Sequence, residues 1–189
     1  MARPPAWLPN AISALRGLAA LPLFLLILDE AWVVAFWLAL IAGSSDLLDG
    51  AIARHWKLQS RLGGWLDPLA DKALVAAAML GLTVVGLLPL WLVVLVLARD
   101  LWLLAGSTAY QFKVAPLYAE PSLLGKLCTF SQILLAAAVL WTAGHGWPGE
   151  VFIVGWIWLV TALTVVSGLH YTGVWLRRAR SAGKSGDET

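Results

Sequence analysis

Long apolar runs follow one another along this chain, with few charged residues between them. Of its 189 residues, 60% are hydrophobic and 13% are charged, and the mean hydropathy is +0.81. A soluble domain averages about 25% charged residues. A helix of roughly 18 or more apolar residues is long enough to cross a bilayer. The sequence therefore predicts an integral membrane protein, and its net charge of +2 gives no indication of a nucleic-acid partner.

The apolar runs predict six transmembrane helices. Backbone amides in lipid must be hydrogen-bonded within the protein, so spanning runs of this kind are helical. We expect an all-α integral membrane protein with a single six-helix transmembrane domain over residues 1–180 and a disordered polar tail over 181–189. The predicted spans are 11–28, 32–53, 68–86, 90–110, 123–142 and 151–176.

Basic residues divide the connections between spans into two groups. The connections near 29–31, 87–89 and 143–150 contain no lysine or arginine, whereas the N-terminal segment and the alternate connections do. Lysine and arginine accumulate on the cytoplasmic side of membrane proteins. We therefore expect both termini and the connection between the second and third spans to be cytoplasmic, in a cell inner membrane or its equivalent.

Four aspartates lie within 26 residues around that cytoplasmic connection: Asp46, Asp49, Asp67 and Asp71. The first two are three residues apart and the last two are four apart, so each pair shares one face of a helix. Carboxylates at this density repel one another unless cations compensate them, and hard oxygen ligands suit Mg²⁺, Mn²⁺ or Ca²⁺. A single aspartate near a span end could serve solubility alone, but two same-face pairs indicate a site.

Basic residues are interleaved with the aspartates. Arg54, Arg61 and Lys72 indicate that the site also binds anionic oxygens, such as those of a phosphate or diphosphate. The alternative for Arg54 and Arg61 is a role as cytoplasmic membrane anchors.

Eight positions at fixed spacing in this segment resemble the signature of the CDP-alcohol phosphotransferase family. They are the four aspartates together with Gly50, Ala53, Arg54 and Gly63. The segment LPNAISALRG, with Asn10 and Arg16, is similar to the family's Pro-Asn…Arg pattern at the start of the first helix. The chain also resembles the family in its size and its six-span plan, which implies the CDP-alcohol phosphotransferase fold.

This resemblance implies an enzyme that attacks the β-phosphorus of a CDP-linked lipid, such as CDP-diacylglycerol, with an alcohol and releases CMP. It implies that the four aspartates hold two divalent metal ions, Mg²⁺ or Mn²⁺, and that Asp71 is also the catalytic base on the acceptor hydroxyl. It also implies a homodimer in the membrane. The CDP-binding residues that we infer with it are Asn10, Gly50, Ala53, Arg54, Ser60 and Gly63.

Candidates for binding the acceptor are Arg61, Lys72, Arg99 and Lys126. Arg99 and Asp100 fall midway through the fourth span, where charged residues face a pocket rather than lipid. The alternative is an ion pair between them that fixes helix packing, but adjacent helical residues point about 100° apart, so we expect them to have different partners. Lys126 could bind an acceptor phosphate or extend to the lipid headgroups.

The later spans resemble the branch of the family that makes glycerol-based phospholipids, on the pattern Arg99-Asp100 and Gly125-Lys126…Thr129…Gln132. Phosphatidylglycerophosphate synthases usually have Arg-Glu at the first of these places and often a further basic residue where this chain has Ser107. A small phosphorylated acceptor would benefit from that extra charge. The resemblance therefore favours phosphatidylglycerol as the acceptor, which gives cardiolipin, over glycerol-3-phosphate.

Three other functions are compatible with parts of the pattern. Membrane prenyltransferases also use aspartates and Mg²⁺, but they need more than six helices and lack the glycine and arginine spacing. A divalent-cation transporter would place carboxylates deep in the bilayer on several helices, whereas these lie at one membrane face. A noncatalytic member of the family would have no need of the complete signature.

Overall fold

The computed structural model of the chain describes the backbone of residues 8–56, 63–113 and 123–185, and the side chains of 11–45, 69–106 and 123–174. Within these ranges the regular secondary structure is entirely α-helical, which confirms the all-α prediction for this part of the chain. The helices are α1 (Leu8–Leu28), α2 (Trp32–Trp56), α3 (Gly63–Val84), α4 (Leu90–Lys113), α5 (Leu123–His145) and α6 (Glu150–Ser185).

Each predicted span coincides with one helix, but most helices continue past the apolar run that predicts them. Helix α6 runs to Ser185 and so includes the first residues of the predicted polar tail, and residues 186–189 lie outside the described part of the chain. Helix α3 ends at Val84, before the predicted limit of 86, because Gly86 adopts a positive φ of 82°. Hydropathy marks where a helix meets lipid, whereas hydrogen bonding decides where it ends.

Among the described residues, three helical segments are long and apolar enough, by length and composition, to cross a membrane. They are Ala11–Leu28, Leu123–His145 and Glu150–Val174, and α2 contributes a shorter apolar segment, Trp32–Ser45. Helices α2, α3 and α4 each carry charged residues along their length. Six helices are therefore present in the described ranges, while six spans stay a prediction.

Every helix leaves large apolar side chains exposed. Examples are Leu18 and Leu21 on α1, Ile41 on α2, Leu123 on α5 and Val151 on α6. Apolar surface on this scale is costly in water and favourable in lipid. Together with the apolar composition, it identifies an integral membrane protein.

The helices pack as two compact units. The first comprises Met1–Pro89 and Ile133–Ile153, and the second comprises Leu90–Gln132 and Val154–Thr189. In the first unit, α1 packs most extensively on α3 and also contacts α2. Its core includes Leu23 and Ile27 of α1, and Met79 and Leu82 of α3. The prediction of one functional domain over residues 1–180 stays a prediction.

Helices α1 and α3 run parallel and approach closely at two points. A Cβ added to Gly17 would lie 3.6 Å from the Cβ of Ala70, and one added to Gly81 would lie 3.1 Å from Cγ2 of Ile27. Small residues allow helices in membranes to pack backbone against backbone. The second contact lies ten residues after the first in α1 and eleven after it in α3, about 15 Å along the axes, so the two contacts fix one register.

In the second unit, α4 and α6 also run parallel. The indole rings of Trp91 and Trp158 lie 5.7 Å apart, and Trp102 Nε1 donates a hydrogen bond to Thr172 Oγ1 at 3.0 Å. Helix α5 joins α6 through Trp156 Nε1, which donates to Ser131 Oγ at 3.1 Å. Polar side chains thus link the three helices of this unit.

Helices α1 and α3 end in the same hydrogen-bonded motif. After α1, the amides of Glu30 and Ala31 donate to the carbonyls of Ile27 and Leu26, at 3.1 and 2.9 Å. After α3, Gly86 and Leu87 donate in the same way at 3.0 and 2.8 Å. This Schellman motif needs a left-handed residue, which is usually glycine. Helix α1 uses Glu30 instead, with φ 55°.

We predict that Glu30→Gly stabilises the protein by about 1 kcal/mol, because glycine adopts the left-handed conformation without a steric penalty. The matched substitution Gly86→Ala should destabilise it by a similar amount, about 1 kcal/mol. Unfolding by SDS in mixed micelles measures both changes. An unchanged or lower stability of Glu30→Gly would contradict the assignment of strain to Glu30.

Candidate active site

Helices α2 and α3 carry the eight-position signature. The backbone of α2 includes Asp46, Asp49, Gly50, Ala53 and Arg54, and that of α3 includes Gly63, Asp67 and Asp71. Both aspartate pairs therefore have the helical spacing that puts each pair on one face, as predicted. Asp71 is the member of the four whose side chain lies in the described part of the chain.

A buried arginine on α1 contacts α2 at the residue before the first aspartate. Arg16 is only 2% exposed, and its Nε donates a hydrogen bond to Ser45 Oγ at 3.3 Å. Ser45 Oγ donates in turn to the carbonyl of Ala42 at 2.7 Å. Ser13, which precedes Arg16 by three residues on the same helix face, is also fully buried. The polar face of α1 is thus directed to the interior at the level of Asp46.

The next residue of α1 contacts α3 just before Asp71. Gly17 lies against Ala70, and Ala70 is buried while Leu69 beside it is 67% exposed. Consecutive residues of α1, Arg16 and Gly17, therefore touch the positions that precede Asp46 and Asp71. One turn of α1 therefore fixes the position of both aspartate-bearing helices, α2 and α3, along the axis of α1.

The register of the three helices brings all four aspartate positions together along the axis of α1. Helix α3 is parallel to α1, so Asp67 lies roughly one turn from the Gly17 contact, on its N-terminal side. Helix α2 returns antiparallel after a three-residue connection, so Asp49 lies roughly one turn beyond Ser45 in the same direction. The backbone positions of the four aspartates span about 9 Å along α1.

The donor set fits a divalent metal by its chemistry. Four carboxylates on two neighbouring helices supply hard oxygen ligands, which Mg²⁺ and Mn²⁺ prefer. Among the described side chains there is no cluster of three or more histidine, cysteine or acidic residues. Three of the four aspartate side chains lie outside that set.

The other predicted site residues near the signature are only partly described. Asn10 lies on α1, but its side chain is outside the described residues, as are those of Gly50, Ala53, Arg54 and Gly63. Ser60 and Arg61 fall in the undescribed connection between α2 and α3. Lys72 follows Asp71 on α3; both are half-buried and interact with other groups. Their assigned roles stay predictions.

Arg99 and Asp100 pair with each other, and the expectation that they have different partners is wrong. Nη1 of Arg99 donates to Asp100 Oδ1 at 2.7 Å, because the long arginine side chain spans the angle between adjacent helical positions. Nη2 of Arg99 also donates to Ser167 Oγ of α6. The ion pair that the alternative expects is therefore present, while the role of Arg99 in binding the acceptor stays a prediction, and the Nε of Arg99 is buried without a hydrogen-bond partner in the described structure.

Lys126 and Gln132 occupy the beginning of α5 in the second unit. Lys126 is exposed in the first turn, where either binding an anion or extending to headgroups is compatible with its position. Gln132 is fully buried and its Nε2 donates to Cys128 Sγ at 3.3 Å. Cys128 Sγ lies 3.5 Å from Thr164 Oγ1 of α6. The hydrogen bond of Gln132 therefore stays within α5, and Cys128 is the residue that contacts α6.

The set of site residues predicted from sequence omits two buried polar residues of α1, Ser13 and Arg16. Their signal in the sequence is a charge within an apolar span, five residues after Ala11, where an unpaired arginine would be costly. The family resemblance includes Arg16 but does not indicate its burial or its contact with Ser45.

Comparison with known proteins gives one family and a consistent group of relatives. The sequence model of the CDP-alcohol phosphatidyltransferase family matches residues 6–169. The chain is 34% identical to the cardiolipin synthase (CMP-forming) of Rattus norvegicus over 183 residues, which cover 88% of this chain and 60% of that protein. It is 33% identical to the CDP-diacylglycerol–glycerol-3-phosphate 3-phosphatidyltransferase of Bacillus subtilis over 184 residues, covering 87% of this chain and 92% of that protein.

A third relative is the cardiolipin synthase (CMP-forming) of Streptomyces coelicolor, with 35% identity over 159 residues, or 79% of this chain and 72% of that protein. The chain thus spans about three fifths of the rat protein that it matches and most of each bacterial one. Relatives named as cardiolipin synthases and a relative named for transfer to glycerol-3-phosphate thus have nearly the same identity to this chain.

We predict that Ala70→Leu destabilises the protein by about 1–3 kcal/mol, because the larger side chain cannot fit between α3 and Gly17 of α1. The neighbouring substitution Leu69→Met serves as a control, since Leu69 is largely exposed and should tolerate the change. Unfolding in mixed micelles compares the two variants. Equal, small effects would show that α1 and α3 do not approach at Ala70.

Proposed function

Since this chain belongs to the CDP-alcohol phosphatidyltransferase family, we propose that it transfers the phosphatidyl group of CDP-diacylglycerol to an alcohol acceptor and releases CMP, in phospholipid biosynthesis. The observation that carries this proposal is the complete eight-position signature on α2 and α3, two helices that contact consecutive residues of α1. A catalyst embedded in the membrane suits a substrate whose acyl chains stay in the bilayer.

The proposed metal ligands are Asp46, Asp49, Asp67 and Asp71, and the ions are Mg²⁺ or Mn²⁺ in a two-metal site. When bound, such ions neutralise the negative charge that grows on the phosphoryl and leaving-group oxygens in the transition state. The four aspartate positions lie close together along the helix axes, and their carboxylates would hold the ions there. Asn10, Gly50, Ala53, Arg54, Ser60 and Gly63 are proposed to bind the CDP group, with the glycines giving close access to the backbone and the arginine meeting a phosphate.

The proposed reaction is a displacement at the β-phosphorus of the CDP-lipid. Asp71 accepts the proton of the acceptor hydroxyl, and the hydroxyl oxygen forms the new bond to phosphorus. The bond from that phosphorus to the bridging oxygen breaks, and this oxygen leaves with CMP. Asp71 is suited to the role because it is half-buried on α3, one turn after Asp67, at the level of the other aspartate positions.

The proposed acceptor is phosphatidylglycerol, and the alternative is glycerol-3-phosphate. Arg61, Lys72, Arg99 and Lys126 are the candidates for binding it. The choice rests on Asp100 and Ser107, where phosphatidylglycerophosphate synthases usually have glutamate and often a further basic residue that would suit a phosphate monoester with two negative charges. A glycerol headgroup needs hydrogen bonds rather than net positive charge.

The topology proposed with this function has six membrane spans with both termini and the active site in the cytoplasm. It rests on the distribution of lysine and arginine among the connections. Two chains are proposed to pair as a homodimer, as the resemblance to the family implies. A divalent-cation transporter and a noncatalytic homologue are the alternatives from other classes.

The acceptor is tested by CMP release from the purified protein in micelles of CDP-diacylglycerol with Mg²⁺. We predict release when phosphatidylglycerol is added and little release with glycerol-3-phosphate. Release with glycerol-3-phosphate alone would identify the other acceptor and contradict the interpretation of Ser107. Release with neither would contradict the proposed pair of acceptors.

Asp71→Asn should lower CMP release by at least about 100-fold, because the amide neither accepts the hydroxyl proton nor supplies a charged metal ligand. Asp29→Asn is the matched control, since Asp29 is exposed in the connection between α1 and α2 and should keep full activity. Both variants need the same thermal stability as the parent protein. Retained activity of a folded Asp71→Asn variant would contradict the assignment of Asp71 as the base.

A further inference from the structure

Arg16 is a full positive charge inside the first apolar helix. It lies about 7 Å along the axis from Ala11, where the apolar segment of α1 begins, and it is 2% exposed. An arginine keeps its charge in proteins, and a buried charge needs both hydrogen bonds and a compensating charge. Ser45 supplies a hydrogen bond but no charge, and Arg16 takes part in further interactions.

Arg16 lies at the same level along α1 as the four aspartate positions of α2 and α3. Its contact residue Ser45 directly precedes Asp46, and its neighbour Gly17 packs on the residue before Asp71. Along the axis of α1, the four aspartate positions lie within about 9 Å, and the level of Arg16 falls inside that interval. The two helices that Arg16 and Gly17 contact thus carry four carboxylates at the level of Arg16.

We propose that Arg16 is a positioning residue that supplies a permanent counter-charge to the aspartates, so that the site keeps its shape when metal ions leave with or between substrates. The proposal rests on the metal site of the proposed function. Four carboxylates without cations would repel each other and separate α2 from α3. A fixed guanidinium on α1 reduces that repulsion and, through Ser45, holds the start of the aspartate segment in place.

This role differs from that of an ordinary interhelical hydrogen bond. A hydrogen bond contributes equally whether metal is present or absent. A counter-charge matters most without metal, because bound divalent cations neutralise the same carboxylates. The dependence of stability on metal therefore separates the two roles, and it does not require enzymatic activity.

The experiment measures the melting temperature of the full chain in detergent micelles, with EDTA and with saturating Mg²⁺. Arg16→Met removes the charge and keeps an unbranched side chain. Arg16→Lys keeps the charge, and Ser45→Ala removes the hydrogen-bond partner while leaving the charge in place. The quantity compared among the variants is the rise in melting temperature that Mg²⁺ produces.

We expect Arg16→Met to melt on the order of 5–10 °C lower in EDTA and to gain clearly more from Mg²⁺ than the parent protein. Arg16→Lys and Ser45→Ala should gain as much from Mg²⁺ as the parent, even if they melt lower. A gain for Arg16→Met equal to or smaller than the parent's would overturn the proposal, because it would assign Arg16 a purely structural role.

A second measurement is a double-mutant cycle of Arg16→Met and Asp46→Asn. It tests the proposal when Arg16→Met alone does not fold, or when the wild-type chain does not respond to Mg²⁺. In EDTA, Asp46→Asn should change the melting temperature of the parent little, because the loss of a negative partner for Arg16 offsets the repulsion that the substitution relieves. Combined with Arg16→Met, the same substitution should yield a folded protein or raise its melting temperature, because it removes uncompensated repulsion. Additive effects would overturn the proposal.

This cycle also separates the proposal from the proposed function. If wild-type protein neither releases CMP nor responds to Mg²⁺, the proposed function fails, whereas the coupling between the Arg16 and Asp46 substitutions in EDTA still tests the counter-charge. Asp29→Asn in both backgrounds is the control. Its effect should be the same with and without Arg16, because Asp29 lies at the other end of α1.

Discussion

The close approach of α1 to α3 is the constraint on which the proposed site depends. Gly17 and Ala70 have almost no side chain, so the two helices can pack with little between their backbones. In lipid, no hydrophobic force drives helices together, and contacts between small residues supply much of the attraction. A bulky residue at either position would move the helix that carries Asp71. The positions of the carboxylates therefore depend on Gly17 and Ala70, two residues that take no part in the proposed reaction.

Helix α1 acts as the common support of α2 and α3. Consecutive residues, Arg16 and Gly17, face α2 and α3, and a short connection after α1 makes α2 return antiparallel. Glu30 ends α1 with the same Schellman motif with which Gly86 ends α3, although only glycine adopts the left-handed conformation without strain. The strain at Glu30 is small beside the packing that a fixed end of α1 provides. Helix α1 thus positions the site, whereas α2 and α3 carry the aspartates that are proposed to bind metal.

The sequence predicts much of the fold and the chemical type of the site. Apolar runs predict six helices, and helical spacing alone pairs Asp46 with Asp49 and Asp67 with Asp71. The register between helices is not predictable in this way, because it depends on which small residues meet across helices, as Gly17 and Ala70 do. Hydropathy also places helix ends poorly, since α6 continues as a helix through polar residues to Ser185.

Arg99 shows where reasoning from helical geometry alone is insufficient. Adjacent Cα positions point about 100° apart, yet the arginine side chain is long enough to reach Asp100 and still donate to Ser167. Side-chain length therefore outweighs backbone direction, so Arg99 pairs with Asp100 and also links α4 to α6. By contrast, Arg16 is buried and donates a hydrogen bond to Ser45, the residue that precedes Asp46 on α2.

A disulfide between α1 and α3 tests this account most directly. The Cβ separation of 3.6 Å at residues 17 and 70 is suitable for a disulfide, and the one native cysteine, Cys128, can be replaced by serine. The account predicts that Gly17→Cys with Ala70→Cys oxidises readily and keeps metal-dependent CMP release, whereas Gly17→Cys with Leu74→Cys, one turn away, does not cross-link. Cross-linking of the offset pair, or loss of CMP release in the folded Gly17–Ala70 cross-linked protein, would contradict it.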